Sequence, residues 1–370
     1  MDPRISDLAE QAQRLPGVIR LGGGLPANEL LPRQELARAL ADVTAASPDA
    51  LQYGEARGIA AIRSWIVRRL AARGAVVHPA HVIVTAGAQQ ALSIIGSMHQ
   101  GWRIDVGDAT YASAIDAFRQ AGSNVVPVHG DVHYVIAGVS NPHGIDRVDR
   151  AALLATGDPL IVDEAYAELR FDGRVPVPLI ADARDRVWHV GTISKTVCPG
   201  LRIGWLIPPP GAVTAALQRK QAMDLQTASV SQLAFARFLA SFDYDAILER
   251  ARGFYADRAA RCLAALRKHL PGAEITEPEG GLSIWVETDD RGDDISLLET
   301  AMACGVTFDP GSSFRPVHHD RIAFRVSFSN VQPELFDTAA RRLSRAFENW
   351  RRLPRREHPP VSAGAHRIAS

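Results

Sequence analysis

The stretch GTISKTVCPGLRIGW, residues 191–205, places Lys195 directly after a predicted strand and among small and hydroxyl-bearing residues. A lysine that forms a Schiff base must lie away from bulk water and close to a carbonyl group. Lys195 is therefore a candidate for covalent cofactor chemistry. Taken alone, the same stretch is equally consistent with a surface turn that carries a solvated lysine.

Lysine is scarce in this chain, and this limits the number of residues that could form a Schiff base. Lys195, Lys220 and Lys268 are the lysines among 41 basic residues, a bias that codon usage can explain. Lys220 in LQRKQ and Lys268 in LRKHL are both predicted to lie on polar faces of helices. Only Lys195 has the surroundings that Schiff-base chemistry requires.

The composition excludes several classes of protein. The 370 residues carry no net charge, which argues against a nucleic-acid-binding protein. Cys198, Cys262 and Cys304 are few and widely spaced, so a reducing, cytoplasmic compartment is expected. The N-terminus, residues 1–17, predicts an amphipathic helix and no signal peptide. Because no apolar run approaches about 20 residues, a membrane partner is not expected.

Short β-branched runs alternate with helical patterns from about residue 82 to residue 210. Such alternation predicts a mostly parallel sheet with helices on both faces. The predicted strands are 82–85, 135–140, 159–164, 187–191 and 202–207.

Long helical patterns follow, and then a smaller α/β unit. Helices are predicted over 213–225, 231–242, 244–270, 295–305 and 333–350, and strands over 281–287 and 321–329. The predicted organisation is an N-terminal arm (1–40) that joins the small domain, a large domain (41–245), a small domain (246–352) and a disordered tail (353–370).

Asp163 stands in PLIVDEAY, at the carboxyl end of a predicted buried strand. Ligands of open α/β sheets bind at the carboxyl ends of the strands. A pyridine nitrogen of pyridoxal phosphate (PLP) would need such an anion to stay protonated, and Tyr166 could donate to the ring phenolate oxygen. An isolated Asp here more commonly caps the next helix.

Three further motifs are each only weak indicators of a functional site when taken alone. VTAGAQQAL (84–92) is a strand-to-helix turn that could bind an anion, and SNPHG (140–144) predicts a turn. Arg325 lies within the predicted strand RIAFRVSFS, where an inward arginine would grip an anion. An exposed edge-strand face would also explain Arg325.

Together, and in this order, these motifs resemble the fold-type I PLP enzymes of the class I/II aminotransferases, and among them the 2-aminoadipate/kynurenine-type transaminases. The resemblance covers roughly residues 15 to 350. It rests on LGGGLP (21–26), LQYGEARG (51–58), VTAGAQQAL, Tyr111, SNPHG, IVDEAY (161–166), ISKTVCPGLRIGW (193–205), KQAMDLQTASVSQ (220–232), EGGLSIWVE (279–287), FDPGSSF (308–314) and RVSFS (325–329).

The resemblance implies a role for each matching residue. Lys195 would form the Schiff base with PLP and shuttle the substrate proton, while Asp163 pairs with the pyridinium nitrogen. The residues implied to contact the rest of the cofactor are Tyr166 and Asn141 at the phenolate oxygen, Tyr111 on the ring face, and Ala88, Gln89, Thr192, Ser194 and Arg202 at the phosphate.

The resemblance also implies how substrate and subunits are arranged. Arg325 would bind the substrate α-carboxylate, with Asn141 and the backbone near Gly24 assisting. Tyr53 would reach the phosphate in the partner subunit of a homodimer. Two positions depart from the family pattern, with Ala88 where Ser or Thr is usual and Thr192 where Ser is usual. DATY (108–111) also lacks a proline that often precedes the tyrosine.

The largest departure is a shortened stretch between Tyr111 and Asn141. A helix (112–121) and the strands NVVPV (124–128) and HYVIAGVS (133–140) fill it, and only HGDV (129–132) joins the two strands. A parallel crossover needs a dozen or more residues. We therefore expect the connecting helix to be lost, and NVVPV to form a hairpin with its successor or to leave the parallel sheet.

Three functional alternatives follow. Transamination between an L-amino acid and a 2-oxo acid leads, because Arg325 favours a substrate that keeps its α-carboxylate. PLP-dependent decarboxylation, elimination, cyclisation or oxidation would use the same cofactor motifs. A non-catalytic effector domain of a transcriptional regulator is disfavoured, because the body begins almost at the N-terminus. Arg33 or Arg315 could bind a distal carboxylate of the substrate, although an isolated arginine is more often a solvated surface residue.

Overall fold

The computed structural model describes residues 3–354. Residues 1, 2 and 355–370, which include most of the predicted tail, lie outside the described residues. The α-helices are α1 (Pro3–Arg14), α2 (Arg33–Ala46), α3 (Ala60–Ala72), α4 (Ala88–Met98), α5 (Ala112–Gln120), α6 (Arg150–Thr156), α7 (Val213–Asp224), α8 (Ser229–Ser241), α9 (Tyr244–His269), α10 (Asp294–Ala303) and α11 (Phe336–Arg351).

The strands are short, and most coincide with the apolar runs of the sequence. They are β1 (Ile19–Arg20), β2 (Ile83–Thr85), β3 (Arg103–Asp105), β4 (Asn124–Val126), β5 (Val132–Ile136), β6 (Leu160–Asp163), β7 (Val187–Thr192), β8 (Gly204–Ile207), β9 (Glu274–Ile275), β10 (Ser283–Arg291), β11 (Val306–Thr307), β12 (Asp309–Pro310) and β13 (Arg321–Ser327).

Seven strands form the large sheet, in the order β2-β8-β7-β6-β5-β3-β4. All run parallel except β8, which is antiparallel to β7 and β2. Successive β6 residues enter different cores, since Ile161 packs with α4 and α5 whereas Leu160 and Val162 pack with α3, α8 and α9. The sheet is therefore covered on both faces, which confirms the predicted fold class.

The smaller unit is an antiparallel sheet of order β12-β13-β10-β9. Helix α9 leads into it, and its first turn is capped by the Asp243 side chain, which accepts from the backbone N–H groups of Asp245 and Ala246. Strand β1 pairs parallel with β11. This pairing joins the N-terminal segment to β11, the strand that directly precedes β12 along the chain.

The prediction for NVVPV is wrong. Strand β4 stays in the large sheet and pairs parallel with β3, without forming a hairpin. The reason is that β5 begins only one residue before the level at which β4 ends, since Ile104 of β3 faces Val125 of β4 on one side and Val132 of β5 on the other. The chain therefore crosses β3 without returning along the length of a strand. Residues 127–131 suffice for this step, and no helix lies among them, as expected.

The next strand also ends earlier than predicted. Strand β5 stops at Ile136, opposite Asp163, and the predicted continuation through 137–140 is irregular. Gly138 leaves the sheet with φ +81°, a left-handed conformation that favours glycine. A Cβ atom there would lie 3.0 Å from the Cα of Ala167. This turn carries the chain from the sheet to Asn141.

Candidate functional site

A cavity opens at the carboxyl ends of β5, β6 and β7 and brings together most of the predicted site residues. Loops from these strands and the N-terminus of α4 meet there. It is lined by Ala88, Gln89, Tyr111, Ile136, Asn141, Asp163, Ala165, Tyr166, Ser194, Lys195, Pro199 and Arg202.

Asp163 ends β6 and is 3% exposed. Its Oδ1 accepts from the Ala165 backbone N–H at 2.9 Å, and its Oδ2 accepts from the Tyr134 hydroxyl at 3.0 Å. Burial raises the pKa of Asp163 to about 6, although both hydrogen bonds and the charge of Lys195 act to lower it. Among the described residues, no cation hydrogen-bonds this carboxylate, so a cationic ring nitrogen would complement it.

Lys195 lies in the turn between β7 and β8 and reaches into the same cavity. Its Nζ donates to the Gly24 carbonyl oxygen at 3.1 Å and lies 5.4 Å from the centroid of the Tyr166 ring. Lys268 is a surface residue as predicted, since its side chain is 67% exposed. The surface prediction for Lys220 is wrong, because Lys220 is fully buried and its Nζ lies 2.8 Å from Asp224. Of the three lysines, Lys195 is the one that lines the cavity.

A candidate anion site adjoins this lysine. Helix α4 begins at Ala88, so its first backbone N–H groups have no partners within the helix. Arg202 lies beside this turn, and its Nη2 donates to the Ala86 carbonyl oxygen at 3.0 Å. Gly87 has φ +84°, and a Cβ atom there would lie 2.5 Å from Arg202 Nη2. Glycine therefore allows the arginine to approach the helix N-terminus.

Thr192 and Ser194 form one hydrogen-bonded unit. The Thr192 hydroxyl donates to the Ile203 carbonyl oxygen at 2.7 Å, and it lies 2.9 Å from the Ser194 hydroxyl. Ser194 lines the cavity, whereas Thr192 does not. Since its single proton is engaged, Thr192 is placed to orient Ser194, and a direct phosphate contact from Thr192 stays a prediction.

Arg325 is buried on β13 and held on two sides. Its Nε and Nη2 donate to Asp309 Oδ2 at 3.0 and 2.7 Å, and its Nη1 donates to Asn141 Oδ1 at 2.8 Å. Burial is the largest single influence on the pKa of Arg325 and acts to lower it, but the charge and hydrogen bonds of Asp309, together with Tyr166 and Tyr111, raise this pKa on balance. Gly24 packs against the guanidinium, since a Cβ atom there would lie 3.1 Å from Nη2. An exposed edge-strand position is therefore wrong for Arg325.

Two residues at the site were not found from the sequence. Asp309 lies in FDPGSSF, a stretch that contributed to the resemblance without a role for this residue. It also accepts from the Gly23 backbone N–H at 3.0 Å and so joins the N-terminal segment to β13. Tyr134 lies in a predicted strand, but only the register of β5 on β6 brings its hydroxyl to Asp163.

Three other predicted residues lie outside the cavity. Tyr53 is 78% exposed, as expected of a residue that would act in a partner subunit. Arg33 is exposed at the start of α2. Arg315 is buried and not solvated, because its Nη2 lies 2.7 Å from Glu287 and its guanidinium lies over the Trp285 ring. Because Glu287 pairs with Arg315, Arg33 is the more accessible of the two arginines predicted to bind a distal carboxylate of the substrate.

Asp163 gives the cofactor-free protein a pH dependence that can be measured. The folded pKa, about 6, exceeds the ordinary value of 3.8, so the folded state binds the proton more tightly than the unfolded chain. Stability is therefore lost as pH rises from about 4 to 6, by on the order of 2–3 kcal/mol. We expect the thermal midpoint of the wild type, measured relative to that of Asp163→Asn, to fall over this range. A constant difference between the two proteins would contradict the burial of an ionisable Asp163.

The residues present fit one cofactor class. A buried carboxylate that lacks a cation, a lysine across the cavity and a helix N-terminus beside an arginine complement the ring nitrogen, the aldehyde and the phosphate of PLP. The fold and the site together define a PLP-dependent enzyme built on a mostly parallel sheet. The chain belongs to the family of class I and II aminotransferases, whose model matches residues 16–343.

Individual relatives agree with this assignment. A 2-aminoadipate transaminase from Thermus thermophilus is 30% identical, over 93% of each chain. The crystal structure of an α-aminoadipate aminotransferase from the same species, complexed with N-(5'-phosphopyridoxyl)-L-leucine, matches 95% of this chain and 97% of its own, with 28% identity and a TM-score of 0.83. A kynurenine aminotransferase structure from Pyrococcus horikoshii matches 93% of this chain and 94% of its own, with 27% identity and a TM-score of 0.86. The chain is thus a PLP-dependent aminotransferase.

None of the helices within residues 3–354 is long and apolar enough to cross a bilayer. Within the same range, no cluster of His, Cys, Asp and Glu side chains could hold a metal ion. The three cysteines are free.

Proposed function

We propose that this aminotransferase exchanges an amino group between an L-amino acid and a 2-oxo acid through Lys195. The observation that carries the proposal is the placement of Lys195 Nζ in the same cavity as the buried Asp163 carboxylate. When bound, PLP withdraws electrons from the substrate α-carbon and so acidifies its proton. The Lys195 amine would bind the cofactor covalently, and once released by the substrate it would carry the α-proton.

The surrounding residues would hold the cofactor in place. Asp163 supplies the negative charge that retains a proton on the ring nitrogen. Tyr166 and Asn141 would donate to the phenolate oxygen, and Tyr111 would cover a face of the ring. The proposed phosphate site comprises Ala88, Gln89, Ser194 and Arg202, with Thr192 supporting Ser194.

Arg325 would bind the substrate α-carboxylate, assisted by Asn141 and the backbone of Gly24. Asp309 accepts from Nε and from one N–H of Nη2, and Asn141 accepts from one N–H of Nη1, which leaves one N–H on each of Nη1 and Nη2 for a ligand. A planar arginine can bind a carboxylate through two parallel hydrogen bonds, whereas a lysine cannot. This geometry supports a substrate that keeps its carboxylate throughout the reaction.

We expect Arg325→Lys to raise KM for amino acids roughly 30-fold or more, the cost of breaking a buried charge pair. The visible absorbance of bound PLP should persist, because Arg325 lies outside the cofactor contacts. Arg261→Lys is the matched control, since Arg261 is an exposed arginine that pairs with Asp257 on the surface of α9. An unchanged KM in Arg325→Lys would show that the α-carboxylate binds elsewhere.

The half-reaction tests the proposed chemistry itself. An amino acid added without a 2-oxo acid should discharge the PLP absorbance to that of the pyridoxamine form and release one equivalent of 2-oxo acid. Release of carbon dioxide, ammonia or a cyclised product would favour the alternative PLP reactions. Absence of any turnover across the common amino acids would favour a ligand-binding role.

The same screen addresses the substrate. The similar proteins named for 2-aminoadipate and kynurenine support a long amino-acid side chain, with 2-aminoadipate as the first candidate. Arg33 is the arginine that remains available to bind the distal carboxylate of such a substrate, because Arg315 already pairs with Glu287. If Arg33→Gln raised KM for 2-aminoadipate and left KM for leucine unchanged, this role would be supported.

We also propose a cytoplasmic homodimer. The exposed Tyr53 and Leu225 lie close together, because the backbone N–H of Gly54 donates to the side chain of Gln226. Leu51 and Met223, which are also exposed, precede each of them by two residues along the chain. A second copy would cover this apolar patch and place Tyr53 at the partner's cofactor. Light scattering should give twice the chain mass. The free cysteines support a reducing compartment.

The domain boundaries stay a proposal. We assign the arm to residues 1–40, the PLP-binding domain to 41–245 and the small domain to 246–352. The separate sheets, and the pairing of β1 with β11, support this division.

A further inference from the structure

Tyr134 is the one side chain that hydrogen-bonds Asp163 among the described residues. It lies on β5, next to β6, and its hydroxyl donates to Asp163 Oδ2 at 3.0 Å. The side chain is 2% exposed. Phe118 of α5 packs edge-on against its ring, with the ring centroids 5.3 Å apart. Tyr134 is therefore fixed in place before any ligand binds.

The direction of this hydrogen bond follows from the surroundings. Burial and the neighbouring Asp163 carboxylate raise the pKa of Tyr134 well above its ordinary value, so the phenol keeps its proton and donates it. Asp163 Oδ1 already accepts from the Ala165 backbone N–H. Each carboxylate oxygen therefore has one donor from the protein and keeps a lone pair for the cavity.

We propose that Tyr134 is a positioning residue for the cofactor, whose hydroxyl holds the Asp163 carboxylate in the orientation and charge state that the PLP ring nitrogen requires. This inference rests on the proposed pairing of Asp163 with that nitrogen. Asp163 lines the cavity, whereas Tyr134 does not. Its effect on the cofactor therefore passes through the carboxylate.

The physical reason is that a buried carboxylate tends to take up a proton. A protonated Asp163 could not hold a second proton on the ring nitrogen. A hydrogen bond that favours the charged form opposes this tendency. Besides Tyr134, the charged groups that act on Asp163 are Glu164, which opposes its ionisation, and Lys195, which favours it.

The test is Tyr134→Phe, which removes the hydroxyl and keeps the ring that packs on Phe118. We expect PLP to bind the cofactor-free protein about tenfold more weakly, the effect of one hydrogen bond to a charged group. With ¹⁵N-labelled PLP, NMR should show that the ring nitrogen loses its proton about one pH unit lower than in the wild type. Circular dichroism verifies the fold of each variant.

Tyr255→Phe is the matched control, because it also removes a buried tyrosine hydroxyl, one that accepts from the Ala27 backbone N–H. It should leave the PLP affinity and the ring-nitrogen titration unchanged. In the Asp163→Asn background, Tyr134→Phe should have no further effect on either quantity.

The outcomes separate this inference from the proposed function. If Asp163→Asn shifts the ring-nitrogen titration and Tyr134→Phe does not, Tyr134 has no positioning role. If Asp163→Asn leaves the titration unchanged as well, the pairing of Asp163 with the cofactor is wrong. Equal losses in Tyr134→Phe and Tyr255→Phe would indicate a purely structural effect and overturn the inference.

Discussion

Lys195→Ala is expected to lower kcat/KM by roughly 10³-fold or more, because it removes both the covalent attachment and the group that moves the α-proton. The variant should still bind PLP through the phosphate site and Asp163, but the absorbance should be that of the free aldehyde. Steady-state kinetics and absorbance spectra measure both effects.

Lys268→Ala is the matched control for this change. Lys268 is exposed and pairs with Asp337 on the surface, so its loss should leave kcat, KM and the spectrum unchanged. Lys220 is unsuitable as a control, because it is fully buried beside Asp224. Turnover near the wild-type rate in Lys195→Ala would refute the proposed role of this lysine.

Asp163→Asn should lower kcat by roughly 10²–10³-fold, the range seen when one preorganised electrostatic group is lost. Asparagine is nearly the same shape but carries no charge, so it cannot hold the proton on the ring nitrogen. The cofactor-free variant should nevertheless be more stable than the wild type at neutral pH, because burying an ionised carboxylate is costly. Loss of activity with a gain in stability is the expected signature of a functional group.

Glu164→Gln provides the contrasting control. Glu164 is the next residue along the chain and is also buried, but its carboxylate pairs with Arg73 Nη1 at 2.7 Å, outside the cavity. We expect this variant to lose stability while its kcat remains within a few-fold of the wild type. If Asp163→Asn retained its kcat, the ring nitrogen would not depend on this carboxylate.

The sequence was sufficient for the features that depend on local patterns. Alternating strands and helices predict the parallel sheet, and the carboxyl end of a buried strand predicts Asp163 as a ligand-facing group. Lys195 is predicted as the Schiff-base residue because lysines are scarce in this chain and because it directly follows a predicted strand. Each of these residues is located by its own element, so no knowledge of the three-dimensional packing is needed.

The features that depend on register could not be predicted in the same way. The hydrogen bond from Tyr134 to Asp163 joins residues 29 positions apart, and it depends on how β5 aligns with β6. The pairing of Asp309 with Arg325 likewise depends on the alignment of β12 with β13. The path from β4 to β5 differs from the prediction because a crossover of a dozen residues returns along a full strand, whereas β5 begins only one residue before the level at which β4 ends.

The central claim is that Lys195 is the residue that binds PLP covalently. Borohydride reduction of the PLP-loaded protein converts the bond between lysine and cofactor to a stable amine, and trypsin does not cleave after a modified lysine. We predict that mass spectrometry of the tryptic digest finds the cofactor mass on residues 187–202, uncleaved at Lys195. A cofactor mass on the peptide that contains Lys220 or Lys268, or on no lysine at all, would contradict the account.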